Sequence, residues 1–136
     1  MLYDTKIAIV VRADLAPWQK LNVTAFLAGG LVGADAGLAG EPYIDASGAM
    51  YLPLVRQPIL VFEATSEELV RTLERARRRG CRPAIYTHEL FATGNDADNR
   101  AAVAAVETAA LDLVGLALHD ERKSVDKVVA GLSLHR

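Results

Sequence analysis

Charged and amide side chains follow the first apolar run of the chain. Residues 7–11 are all apolar, the run ends in Arg12 and Asp14, and Lys20 and Asn22 come shortly afterwards. Polar groups at the end of a buried strand commonly line a ligand crevice in α/β sheets. We therefore predict that Arg12, Asp14 and Asn22 bind a ligand. The alternative is that Arg12 pairs with Asp14 and that Lys20 is solvated.

A second polar group follows a later apolar run. Tyr86-Thr87-His88-Glu89 comes directly after residues 83–85, and Thr93 lies four residues beyond Glu89. His88 is the side chain that titrates closest to neutral pH, so this group could support general acid or base chemistry. We predict that Tyr86, Thr87 and His88 bind a ligand. The alternative is an exposed loop whose residues cap the following turn.

Arginines recur between residues 71 and 82. Arg71, Arg75 and Arg78 are spaced to share one face of a helix, and such a face could hold phosphates. A solvated face is the competing interpretation, because Glu67, Glu68 and Glu74 lie in the same predicted helix. The formal net charge of −2 also argues against a dedicated nucleic-acid binder, so tRNA is not a favoured partner.

No cofactor or metal signature accompanies these groups. The sequence has no Gly-rich phosphate loop and no Cys/His/Asp cluster with metal-ligand spacing, so neither a cofactor nor a metal is predicted. Cys81 is the one cysteine, which excludes an internal disulfide, and it is expected to be a packing residue.

The elements that must position these groups alternate between strands and helices. A Thr65-x-x-Glu68 capping box predicts one helix start, Gly80 its end, and a Ser47-Gly48 turn predicts a hairpin. We expect a parallel pair with a right-handed crossover between the strands at 59–62 and 83–86. Further strands are predicted at 6–12 and 111–118, helices at 17–28, 96–107 and 124–130, and a loop at 31–40.

Length and composition predict one soluble domain over residues 1–136, of the α/β class. Apolar runs are short and broken by charge, so no membrane segment is expected. The N-terminal residues lack the pattern of a secretory signal, which predicts a cytoplasmic location.

Several segments carry a family resemblance. The run Val10-Val11-Arg12-Ala13-Asp14-Leu15, with a lysine after it, resembles the opening strand of peptidyl-tRNA hydrolase type II, and Ser66-Glu67-Glu68-Leu69 and Val125-Asp126-Lys127-Val128 resemble two of its helices. The whole sequence is more similar still to a bacterial family of unknown function in the same superfamily. The resemblance implies a mixed four-stranded sheet flanked by helices, and a homodimer.

The same resemblance implies roles for individual residues. Its helix-start lysine matches Lys20, and its later acidic residue and threonine match Glu89 and Thr93, so these three are the candidate catalytic residues. The histidine of the hydrolase family falls on Leu27 or Ala28. The sequence therefore predicts a domain that binds a small molecule or hydrolyses an unknown substrate, at one crevice near the ends of the first and third core strands. Residual peptidyl-tRNA hydrolysis and a non-enzymatic dimeric module, with Trp18, Tyr43 and Tyr51 at contacts, are the alternatives.

Overall fold

The computed structural model describes residues 3–136 as a mixed five-stranded sheet with four α-helices and a separate two-stranded hairpin. In chain order the elements are β1 (Thr5–Arg12), α1 (Pro17–Ala34), β2 (Tyr43–Ile44), β3 (Met50–Tyr51), β4 (Ile59–Ala64), α2 (Ser66–Arg78), β5 (Ala84–Thr87), α3 (Asp96–Ala104), β6 (Leu113–Glu121), α4 (Arg122–Val128) and β7 (Ser133–Leu134). Short 3₁₀ turns occupy 36–38, 88–92 and 108–110. Within the described residues no helix is both long enough and apolar enough to span a membrane.

The sheet order is β5-β6-β1-β4-β7. Strand β1 lies parallel to β4 and antiparallel to β6, while β5 and β7 pair antiparallel with β6 and β4. Strand β1 is central and buried on both faces, as its continuous apolar run predicts. One face of the sheet packs on α1 and the other on α2 and α4.

Two features of this sheet correct the predictions. The sheet has five strands rather than four, because residues 133–134 add β7 to the free edge of β4. The expectation that β4 and β5 pair directly is also wrong, although the two strands run in the same direction. Strands β6 and β1 lie between them, so β4 has β1 as its parallel neighbour.

The first helix continues past the glycines that were expected to end it. Helix α1 runs through Gly29 and Gly30 to Ala34, and a 3₁₀ turn follows where a loop was predicted. Glycine inside a helix costs about 1 kcal/mol relative to alanine. Burial of Leu31 on the sheet offsets that cost, and Leu38 in the 3₁₀ turn is also buried.

Other predicted boundaries hold or shift slightly. The hairpin, the strand at β1 and the end of α2 near Gly80 are confirmed, and Gly48 and Gly80 take positive φ angles. The capping box of α2 is also confirmed, since the Thr65 hydroxyl accepts from the Glu68 amide and the Glu68 carboxylate accepts from the Thr65 amide. Helix α3 ends earlier than predicted, α4 begins two residues earlier, and β6 lies further along the chain.

Candidate functional site

Helix α1 presents two flanks on either side of its buried stripe. Val23, Leu27 and Leu31 face the sheet. Trp18, Asn22 and Phe26 recur at every fourth residue and share the flank towards β5, while Lys20 and Thr24 lie on the flank towards β4. Residues that are neighbours in sequence are thereby divided between two cavities.

An aromatic pocket of about 450 Å³ lies on the β5 flank of α1. The ring of Phe91 packs against two other aromatic rings, with its centroid 5.6 Å from that of Trp18 and 5.1 Å from that of Tyr86. The ring centroids of Phe26 and Tyr86 are 5.9 Å apart. Polar groups come from α1 and from the segment that leads into α3. We call this cavity the aromatic pocket; it is lined by Trp18, Asn22, Phe26, Tyr86, Leu90, Phe91, Thr93, Gly94, Asn95, Asp96 and Asn99.

Three predicted site residues converge in the aromatic pocket. The hydroxyl of Tyr86 lies 3.5 Å from Oδ1 of Asn22, at the outer limit of hydrogen bonding. The hydroxyl of Thr93 bonds to the carbonyl of Leu90 and to Oδ1 of Asn99. Burial raises the pKa of the Tyr86 phenol, so Tyr86 is a neutral donor and acceptor rather than a base at neutral pH.

Arg12 and Asp14 form an ion-paired cluster at the C-terminal end of the central strand β1. Nε of Arg12 lies 2.7 Å from Oδ1 of Asp14, and Nη1 lies 3.0 Å from Oδ1 of Asp112. The pairing of Arg12 with Asp14, given above as the alternative interpretation, is therefore what the structure contains. An anionic ligand would have to displace two carboxylates from this guanidinium.

Lys20 lies outside the aromatic pocket. Its ammonium lies 3.0 Å from Nε2 of His135 in the cavity on the other flank of α1. Glu89 is exposed and lines neither cavity, and no hydrogen bond or ion pair joins its side chain to residues 3–136. The structure therefore does not bring Lys20, Glu89 and Thr93 into one catalytic cluster.

Thr87 and His88 do not line the aromatic pocket. Thr87 is buried and pairs with Leu113, whose side chain belongs to the core on the α2 face, whereas Tyr86 packs on the α1 face. Directly paired residues of neighbouring strands share a face, so Thr87 points away from Tyr86. His88 is exposed, packs edge-on against Phe91 and donates its backbone N–H to the carbonyl of Asp112.

The arginine face and Cys81 have structural partners. Arg75 donates to the carbonyl of Ala130, and Arg78 lies 3.9 Å from the Glu74 carboxylate. Burial, with Asp120 nearby, raises the pKa of the Cys81 thiol, which disfavours a nucleophilic thiolate. Among residues 3–136 no three His, Cys, Asp or Glu side chains are grouped closely enough to hold a metal ion.

Sequence reasoning missed Asn95 and Asn99, and it assigned no role to His135. Asn95 caps α3 through the amide of Asp98, and Asn99 lies one turn further along the same helix. Two asparagines at this spacing in an alanine-rich segment were the available signal. His135 carries no local signal, since its partner Lys20 is 115 residues away.

Fold and pocket together define an α/β protein with a mixed five-stranded sheet and an aromatic pocket beside its first helix. The chain belongs to the family described as "Protein of unknown function (DUF2000)", whose model matches residues 5–136. It is similar to a solved protein of unknown function from Agrobacterium tumefaciens strain C58, with 44% identity and a TM-score of 0.96, over 99% of this chain and 100% of that chain. No curated protein matches the chain.

These comparisons confirm the expectation of a family of unknown function. The likeness to the peptidyl-tRNA hydrolase type II superfamily stays a prediction, and so do the cytoplasmic location and the homodimer.

Proposed function

We propose that this protein binds a small planar molecule in the aromatic pocket. The observation that carries the proposal is the convergence of Asn22, Tyr86 and Thr93, which come from separate parts of the chain, on one pocket lined by four aromatic rings. A volume of about 450 Å³ falls in the range of small-molecule sites.

Unused hydrogen-bonding groups in the pocket define what it would recognise. The amide NH₂ groups of Asn22 and Asn99 have no hydrogen-bond partner within residues 3–136. The contact between the Tyr86 hydroxyl and Oδ1 of Asn22 is long, so each of these two atoms can also bond to a ligand. The carboxylate of Asp96 is already paired with Arg100. These groups suit a flat, uncharged ring system that carries carbonyl or ring-nitrogen acceptors.

Trp18 allows this proposal to be tested directly. It is the one tryptophan of the chain and it lines the pocket, so its fluorescence reports on occupancy. We expect saturable quenching by planar heterocycles such as nicotinamide or hypoxanthine. Asn22→Ala and Asn99→Ala should each weaken binding about tenfold, because each removes a hydrogen bond to the ligand.

Lys20→Met is the matched control. Because Lys20 lies on the other flank of α1, this substitution should leave heterocycle binding unchanged. The proposal fails if a library of planar heterocycles gives no saturable signal at millimolar concentration. It also fails if Lys20→Met weakens binding as much as Asn22→Ala does.

Hydrolysis is less well supported than binding. Lys20 faces His135, Thr93 is bonded to Asn99 and Glu89 is exposed, so the three groups have no common reacting position. We expect the purified protein to leave N-acylated aminoacyl-tRNA uncleaved. Turnover above buffer that Lys20→Ala abolishes would restore the hydrolase alternative.

A second candidate function is self-association through the β2–β3 hairpin. Residues 41–52 are exposed throughout, apolar side chains included, and both strands are only two residues long. Asp45 nevertheless fixes the turn, since it accepts from the amides of Ser47 and Ala49 and from the Tyr51 hydroxyl. A preformed apolar arm of this kind suits burial against a partner.

We commit to a second copy of this chain as that partner, because two-fold pairing would cover both arms at once. Ile44→Asp and Leu52→Asp should convert a dimer to a monomer in analytical ultracentrifugation. Val70→Asp on α2 is the control, since Val70 is a partly exposed apolar residue away from the hairpin. Two results together would contradict this candidate function. The wild-type protein would be a monomer at high concentration, and dilution would not change the protection of residues 41–53 from hydrogen exchange.

A further inference from the structure

A second cavity lies on the β4 flank of α1. It measures about 410 Å³ and shares no lining residue with the aromatic pocket. Its walls are apolar, formed by Val11 of β1, Val61 of β4, and Pro17 and Leu21 of α1. We call it the lysine pocket, because Lys20 brings an ammonium group to these walls.

The tautomer of His135 is assigned from the two hydrogen bonds of its ring. Nδ1 of His135 lies 3.0 Å from the main-chain oxygen of Arg136, which can only accept, so Nδ1 is assigned as the donor nitrogen of the ring. Nε2 then accepts from the ammonium of Lys20 at 3.0 Å. The histidine therefore holds the lysine in place without neutralising its charge.

The charge of Lys20 has no counter-ion in the part of the chain that the structure describes. No carboxylate of residues 3–136 lies within 4.0 Å of its Nζ, whereas Lys6 pairs with Asp126. Two of its three N–H groups remain unused after the bond to His135. An ammonium fixed beside apolar walls attracts an anion more strongly than a mobile surface lysine does.

Thr24 contributes no further recognition of an anion. Its hydroxyl is directed back into the helix, to the carbonyls of Lys20 and Leu21. Lys20 is therefore the side chain that offers free N–H groups to an anion, and the lining residues other than Thr24 and His135 are apolar. A second negative charge on a ligand would find no partner there, which favours a monoanion over a phosphate dianion.

We propose that the lysine pocket binds a monocarboxylate with an apolar body. The carboxylate accepts the two unused N–H groups of Lys20, and the body lies against Val11, Leu21 and Val61. This site is separate from the aromatic pocket, and it stands whether or not that pocket binds a ligand.

Octanoate, with octan-1-ol as its uncharged counterpart, tests the proposal on the full chain by NMR titration. We expect octanoate to shift the methyl signals of Val11 and Val61 and to leave Tyr86 and Asn99 unchanged. Lys20→Met keeps the apolar stem and should weaken octanoate binding about tenfold while leaving octanol binding unaffected. Lys123→Met, at an exposed lysine on α4, is the matched control and should have no effect.

Three results would overturn the proposal. The first is no octanoate binding at millimolar concentration. The second is octanoate affinity equal to that of octanol. The third is that octanoate shifts the NMR signals of Tyr86 and Asn99 instead of those of Val11 and Val61. This result comes from the wild-type protein, so it does not depend on whether Lys20→Met folds. In contrast, loss of heterocycle binding in Asn22→Ala with octanoate binding intact would separate the two sites.

Discussion

The hydroxyl of Tyr51 donates a 2.7 Å hydrogen bond to Oδ2 of Asp45 across the β2–β3 hairpin. This bond, with the backbone amides of Ala49 and Ser47, lowers the pKa of Asp45, and the same bond raises the pKa of Tyr51. The hairpin is exposed, so these bonds take the place of a hydrophobic core at its tip.

The pH range of hairpin order follows from those two shifts. A carboxyl whose folded pKa is depressed stabilises the hairpin above its unfolded pKa and loses that effect as the pH falls through the folded value. The Tyr51 phenol, whose folded pKa is raised, contributes below its unfolded pKa and ceases to do so as the pH rises through the folded value. We expect NMR signals of the turn amides to show an ordered hairpin from about pH 5 to pH 9, with loss at both extremes.

Tyr51→Phe should bring the Asp45 pKa back towards its ordinary value, and Tyr43→Phe on the partner strand is the control. Titration of the Asp45 carboxyl at its ordinary value in the wild-type protein would contradict this account.

Gly115→Ala should destabilise the protein by about 1–3 kcal/mol. A Cβ at this position in β6 would collide with Cγ1 of Val23 and lie 3.0 Å from Cδ1 of Leu27, and both of these side chains are buried. Urea unfolding measures the change in the free energy of unfolding. The double variant Gly115→Ala with Val23→Ala should be destabilised by less than the sum of the two single variants, because the smaller side chain makes room for the new methyl group. Gly29→Ala is the control: it meets nothing within 4 Å and should stabilise α1 by about 0.5–1 kcal/mol. A tolerated Gly115→Ala would show that α1 does not pack closely on β6.

Thr87→Val should be neutral or stabilising by up to about 1 kcal/mol. The Thr87 hydroxyl is buried and has no hydrogen-bond partner among residues 3–136, so a methyl group of similar size removes a desolvated polar atom. Thr87→Ser keeps the hydroxyl and removes a methyl group, so it should destabilise by about 1 kcal/mol. Thermal unfolding compares the two variants, and a clearly destabilised Thr87→Val would mean that the hydroxyl has a partner.

Arg12→Met should lower stability by about 1 kcal/mol. The Arg12 side chain is only 15% exposed and joins β1 to the start of β6 through Asp112, while both carboxylates can be solvated when it is removed. Arg100→Met, which breaks an exposed pair within α3, is the control and should cost less than about 0.5 kcal/mol. Equal effects in chemical denaturation would contradict a special role for Arg12.

Local physics made several elements predictable. The hydrophobic run of β1, the Thr65 capping box and the Ser47-Gly48 turn each depend on residues close together in sequence, and each forms as predicted. The end of α1 was not predictable in this way, because glycine disfavours a helix locally, whereas burial of Leu31 against the sheet favours its continuation.

The spacing of Lys20 and Thr24 predicts that they share one helix face, and the structure places Trp18, Asn22 and Phe26 on another. The spacing does not indicate which strand each face meets. That depends on the sheet order, in which β6 inserts between β5 and β1 and a two-residue β7 joins β4. Strand order is set by contacts between residues far apart in the chain, so the sequence alone did not determine it.

Sequence by itself determined the α/β class, the strand ends that carry polar groups and the family of unknown function. Tertiary structure decided which of those groups meet: Asn22 with Tyr86, Arg12 with Asp112, and Lys20 with His135. The physical reason is that a side chain's direction follows from its own strand or helix, whereas its partner follows from how the whole sheet is assembled.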